Sequence, residues 1–179
     1  VTNLPSGNGL QVWSQFARIL TPDRLGRLAV ILRRQEEGVS EKLMFLVQYA
    51  DATGAYHQAA EIARFLLPEM PPGSPRRLAV GMVLGENCRR TGQAVKANKI
   101  YGDLYKEFPG NRQLANKLAF VKAVELEEPE EAERLARQAL IGPMLPAPVQ
   151  AACLDTLGLA LTKQGRHEEA EDVFTNAVR

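Results

Sequence analysis

The sequence predicts an all-α chain, a right-handed superhelical solenoid of antiparallel helix hairpins. Three observations carry that expectation. A pattern of about thirty residues recurs along the chain, and internal repetition at this period is the signature of a stacked array. Apolar residues fall at spacings of three and four, the period of a helix face, and no stretch alternates as a strand would. Glycine and proline punctuate the chain at matching points of successive copies.

The last copy is the clearest. It reads Leu154-x-x-Leu157-Gly158-x-x-Leu161, then Gly165-x-His167-x-x-Ala170, then Phe174 and Ala177. In register with it, first-helix leucines stand at Leu46, Leu84, Leu118 and Leu157, followed by Val47, Gly85, Ala119 and Gly158. Most of this second column is small, as two closely packed helices require where their axes approach. A turn glycine stands at Gly54, Gly92 and Gly165, and second-helix alanines at Ala59, Ala97, Ala132 and Ala170. Four positions further, Ala63, Tyr101, Ala136 and Phe174 lie on the same face.

The chain divides on this register into five units. Residues 1–39 form an atypical helix pair, either a cap or a degenerate repeat, with Val12, Phe16, Ile19 and Leu20 on one face and Leu25, Leu28, Ala29 and Leu32 on another. Trp13 and Phe16 anchor that terminal pair. Repeats follow over 40–77, 78–111, a divergent 112–150, and 151–179. Thr21-Pro22 and Ser74-Pro75 read as N-cap and first-turn proline pairs, and Pro129-Glu130-Glu131 places acids at the positive end of a helix. Pro71 and Pro109 close the first and second copies. Pro68 to Pro75 and the prolines at 143, 146 and 148 lengthen two connections. In the third copy Leu126 to Glu128 replaces the turn glycine, and Ala132 keeps its place only if that turn gains one residue.

With 179 residues, 45% of them hydrophobic, the chain can bury a substantial core. A net charge of +1 argues against a general nucleic-acid or membrane-surface binder. No apolar run approaches the roughly 20 residues of a membrane span, and Val1 to Leu10 carry no export signal, which leaves a cytoplasmic or periplasmic location equally open. A start at Val1 and an end within a helical pattern at Arg179 suggest an excerpt of a longer protein. Cys88 and Cys153 lie in amphipathic patterns and read as small buried hydrophobes.

No constellation points to catalysis, a metal or a cofactor. His57 and His167 fall in equivalent inter-helix turns, where packing accounts for them, and neither belongs to a zinc-spaced cluster. Ser6-Gly7-Asn8-Gly9 lacks the strand and the G-K-[ST] of a phosphate loop. Glu125, Glu127, Glu128, Glu130, Glu131 and Glu133 read as a solvated turn and helix start, and the doublets Arg33-Arg34, Arg76-Arg77 and Arg89-Arg90 as surface charge.

The leucine–glycine pair, the turn glycine, the alanine after it and the closing proline together resemble tetratricopeptide repeats over residues 40–179. The match is strongest in the copies around Leu84-Gly85 and Leu157-Gly158. A-N-K-L-A-F followed by L-D-T-L-G-L-A-L-T-K-Q-G-R-H-E-E-A is similar to the closing repeats of bacterial envelope and exopolysaccharide-export proteins. The resemblance implies a concave groove, lined by the first helices of successive repeats, that holds a peptide or a partner helix. Carried over by position, the groove residues are Met44, Gln48 and Asp51, then Met82, Glu86 and Arg89, then Asn116 and Phe120, and finally Asp155, Leu159 and Thr162. Chaperone-binding members hold a C-terminal carboxylate with lysine and asparagine. Met44 and Gln48, or Met82 and Glu86, occupy those slots here, so that specificity is rejected. The expected function is a non-catalytic scaffold that binds a protein or peptide. The alternatives are a module that self-associates through its end repeats, and a docking or regulatory region of a larger envelope or export protein or enzyme.

Overall fold

A computed structural model describes residues 39–177 and, upstream, positions 21, 23, 24, 27 and 29. The expectations for Val12, Trp13, Phe16 and the Arg33-Arg34 doublet lie outside the described residues. What is described is helical, with no strand among the described residues. There, eight α-helices follow in order: α1 (Val39–Ala52), α2 (Tyr56–Leu66), α3 (Pro75–Arg90), α4 (Ala94–Glu107), α5 (Arg112–Phe120), α6 (Pro129–Leu140), α7 (Ala147–Lys163) and α8 (His167–Ala177). Consecutive helices pack as hairpins α1/α2, α3/α4, α5/α6 and α7/α8, and each hairpin also packs on the next. The result is an all-α solenoid. Helix α3 begins at Pro75 and α7 at Ala147, so the pattern-based unit limits at 78 and 151 fall inside these helices.

The repeated columns form the seam of the array. Leu46, Leu84, Leu118 and Leu157 are all buried, as are Ala59, Ala97, Ala132 and Ala170. One continuous apolar cluster runs from Ala29 through Tyr101 and Leu114 to Ala170. Each fully buried leucine in it contributes on the order of 1.5–3 kcal/mol relative to exposure. Cys88 is a buried free thiol inside this cluster, and Cys153 is one in a smaller cluster with Ala115 and Ala139. The two histidines differ from expectation. His57 and His167 are both exposed, because the inter-helix turns bring them to the outer surface at the first turns of α2 and α8. Ser74 caps α3, its side chain accepting from the Arg77 N–H at 3.2 Å.

Three inter-helix turns use a left-handed glycine, with φ of 79° at Gly54, 74° at Gly92 and 78° at Gly165. The third hairpin solves the same problem without one. A π-helical turn, Val121–Glu125, extends α5 and absorbs the additional residue, so that Ala132 stays buried in its column. Glu127 then takes the left-handed conformation at φ 56°. That conformation costs a non-glycine residue about 1–2 kcal/mol, partly offset by the chain freedom glycine adds to the unfolded state. Glu127→Gly is therefore expected to raise stability by about 0.5–1 kcal/mol in urea denaturation. A loss of stability would show that the Glu127 side chain holds the turn.

Candidate interaction groove

Helices α3, α5 and α7 are the first members of three successive hairpins, and they share one pocket of about 280 Å³. The cavity is lined by Glu86 and Arg89 from α3, Asn116, Lys117 and Phe120 from α5, and Ala152, Asp155, Thr156 and Leu159 from α7. Tyr101 of α4 closes its floor. That contribution depends on Gly85. With no side chain there, the Tyr101 ring lies against α3 and its hydroxyl reaches Glu86 at 3.4 Å.

Glu86 organises the charge. Its carboxylate accepts from Arg89 Nη2 at 2.8 Å, Arg90 Nε at 3.0 Å and Lys117 Nζ at 3.2 Å. Arg89 continues to Glu125 in the π-turn at 3.2 Å and lies over the Phe120 ring, 5.3 Å from its centroid. Arg90 in turn stacks on Tyr56 at 4.7 Å. Burial by itself would raise the Glu86 carboxyl, but Arg89, Arg90 and Lys117 outweigh it and hold it at about 2. Burial, reinforced by the Glu86 carboxylate, pushes the Tyr101 phenol well above its ordinary value.

Six of the residues expected in the groove come together here: Glu86, Arg89, Asn116, Phe120, Asp155 and Leu159. The other five do not line the cavity. Met44 and Met82 are half-buried against the core, and Gln48 is exposed on α1. Asp51 accepts from the buried Asn87 Nδ2 at 3.0 Å, tying α1 to α3. Thr162 donates to the Gly158 carbonyl of its own helix at 2.8 Å.

Lys117, Tyr101, Ala152 and Thr156 belong to the lining and are absent from the sequence expectation. Tyr101 was readable as a packing residue, since it faces the Gly85 column. Lys117 adjoins Asn116 and carried no signal of its own. The glutamate-rich segment also needs correction. Glu125 and Glu133 are not solvated, with side chains only 19% and 15% exposed. Glu125 binds Arg89, and Glu133 binds Arg166 at 2.7 Å across successive hairpins. Of the described doublets, three arginines are tied into the fold: Arg77 Nε binds Glu107 at 2.9 Å, and Arg89 and Arg90 converge on Glu86.

The chemistry offered is recognition by charge, amide and aromatic surface. Thr156, the one hydroxyl of the lining besides Tyr101, donates to the Ala152 carbonyl at 2.9 Å. Among the described residues no group of three or more His, Cys, Asp or Glu is placed to hold a metal ion. No described helix is long and apolar enough to cross a membrane.

A family model described as a tetratricopeptide repeat matches residues 150–179. No curated protein matches the sequence. Among solved structures, a kinesin light chain of Podospora anserina with nearly identical repeats superposes with a TM-score of 0.71 at 15% identity, over 94% of this chain and 90% of that one. MamA from Desulfovibrio magneticus RS-1 gives 0.68 at 15% identity, over 97% and 96%. A thermophilic tetratricopeptide-repeat protein of Thermus thermophilus gives 0.60 at 21%, over 94% and 88%. At these identities the likeness is one of fold.

Proposed function

We propose, from the premise that this chain is a tetratricopeptide-repeat protein, that it is a non-catalytic scaffold holding a segment of a partner protein in the groove of α3, α5 and α7. One observation supports this reading above the others. The first helices of three successive hairpins converge on a single open pocket that combines apolar surface with polar groups. A partner segment laid along it would touch three repeats at once, which gives both area and register. Phe120 and Leu159 supply apolar contact, and the ion network behind them keeps the wall rigid before binding, reducing the ordering cost. The groove does no covalent chemistry in this reading.

Site-directed photocrosslinking in a lysate of the source organism tests it. A benzoylphenylalanine at Leu159, in the groove, is expected to give discrete protein adducts. The same group at Val95, which is 73% exposed on α4 and outside the pocket, is expected to give none. Adducts at Val95 with none at Leu159 would move recognition off the groove.

A further inference from the structure

We infer that the pocket of α3, α5 and α7 is selective for a basic side chain, a lysine or arginine of the partner segment, received by Asp155. The inference rests on the groove reading above and specifies the chemistry of its occupant.

The lining holds two carboxylates and two cations, and they are not equivalent. Arg89 and Lys117 are committed to Glu86, and Arg89 is bound to Glu125 as well. Glu86 is shared by three cations and the Tyr101 hydroxyl. Asp155 is exposed and makes no hydrogen bond or ion pair among the described residues. Asp155 is therefore the one charged side chain of the lining left without a partner, and it is negative. An incoming carboxylate would compete with Glu86 for Lys117 and with Glu86 and Glu125 for Arg89. An incoming cation displaces only water.

The rest of the wall fits the same guest. Phe120 and Leu159 offer apolar surface for the methylene stem that lysine and arginine carry below their charge. Asn116 Oδ1 is buried and without a partner, an acceptor left over at the same wall. Rotation of that amide would turn the acceptor toward a donor-rich guest, and lysine and arginine carry donors only. Arg89 lies over Phe120 and is held there by Glu86 and Glu125, which tie its guanidinium to the wall beside the guest's stem.

The test uses three acetylated, amidated pentapeptides, Ala-Leu-Xaa-Leu-Ala, with lysine, norleucine or glutamate at the centre. Each is titrated at millimolar concentration into the ¹⁵N-labelled protein. The lysine peptide is expected to shift the Asn116, Phe120 and Asp155 amides with an affinity roughly fivefold above norleucine. Asp155→Asn, an exposed isosteric change, should abolish that preference. A glutamate peptide that binds as well as lysine, or a lysine preference that survives in Asp155→Asn, overturns the inference. So does the absence of any shift with the lysine peptide. None of these outcomes alters the crosslinking pattern on which the groove reading itself stands or falls.

Discussion

Replacing Gly85 by leucine is expected to cost about 3 kcal/mol, the upper range for overpacking a closed core, read as a lower urea midpoint at unchanged slope. A Cβ built on Gly85 would lie 2.4 Å from Tyr101 Cε1 and 2.7 Å from its Cζ. Tyr101 has no exposed surface, so its ring cannot move aside without displacing α4. Gly85→Ala isolates the effect. Alanine gains about 1 kcal/mol of helix propensity over glycine, and the contact with the ring should more than cancel it. Gly81→Ala is the internal control. Its Cβ would meet Leu104 Cδ1 at 2.4 Å and Cγ at 3.1 Å; Leu104 is also buried but can change rotamer where a ring cannot, so the loss should be smaller than in Gly85→Ala. Gly158→Leu should fall between, because Phe174, which its Cβ would meet at 2.5 Å, is only half-buried on the last described helix. Unaltered stability in Gly85→Leu would sink the close-approach account of α3 and α4. With Tyr101→Leu as the background, Gly85→Ala should cost less than it does beside the tyrosine ring, since the atoms in conflict are gone.

The spacing of leucine, small residue, turn glycine and alanine was enough to reach the hairpin array, because each column reflects a constraint local to one hairpin. The third turn was legible as a problem but not as its solution. A missing glycine and one surplus residue could be counted, while the π-turn at Val121–Glu125 and the left-handed Glu127 are responses of the packed chain. The groove was half legible. Phe120, Asp155 and Leu159 follow from the groove positions that the family resemblance implies, placed by the repeat register. The charge network does not, since Glu86 reaches Lys117 and Arg89 reaches Glu125 over sequence separations of 31 and 36 residues. Composition treats those residues as surface charge, and only stacking of successive hairpins shields them from water. The same long-range pairing buries Glu133 against Arg166 and Gln164. The histidines went astray for a related reason: adjacency to an aromatic column says nothing about which side of a one-turn helix start faces out.

The network at Glu86 also makes the fold's stability depend on acidity in a defined window. The carboxyl stands at about 2 in the folded chain against the usual 4.5. A depressed folded value means that the folded state holds the charged form more tightly than the unfolded state does. The stabilisation is therefore fully present above 4.5, where both states are ionised, and is lost as the pH falls toward 2. The shift corresponds to about 2–3 kcal/mol once the partial exposure of the pairs is allowed for. Glu86→Gln is expected to be less stable than the native chain by that amount at about pH 7 in urea denaturation. The gap should narrow to roughly half near pH 3 and close near pH 2. Other carboxylates held low by arginines, among them Glu131 and Glu169, titrate in both proteins and cancel in the difference. A gap that stays constant across this range would mean that Glu86 acts through shape and packing, and that Arg89, Arg90 and Lys117 find water as good a partner. A gap that closes on schedule would place the rigidity of the groove wall in its ion pairs. In that case Glu86→Gln should also lose the lysine-peptide shifts at neutral pH, because Arg89 and Lys117 would be freed to repel a basic guest.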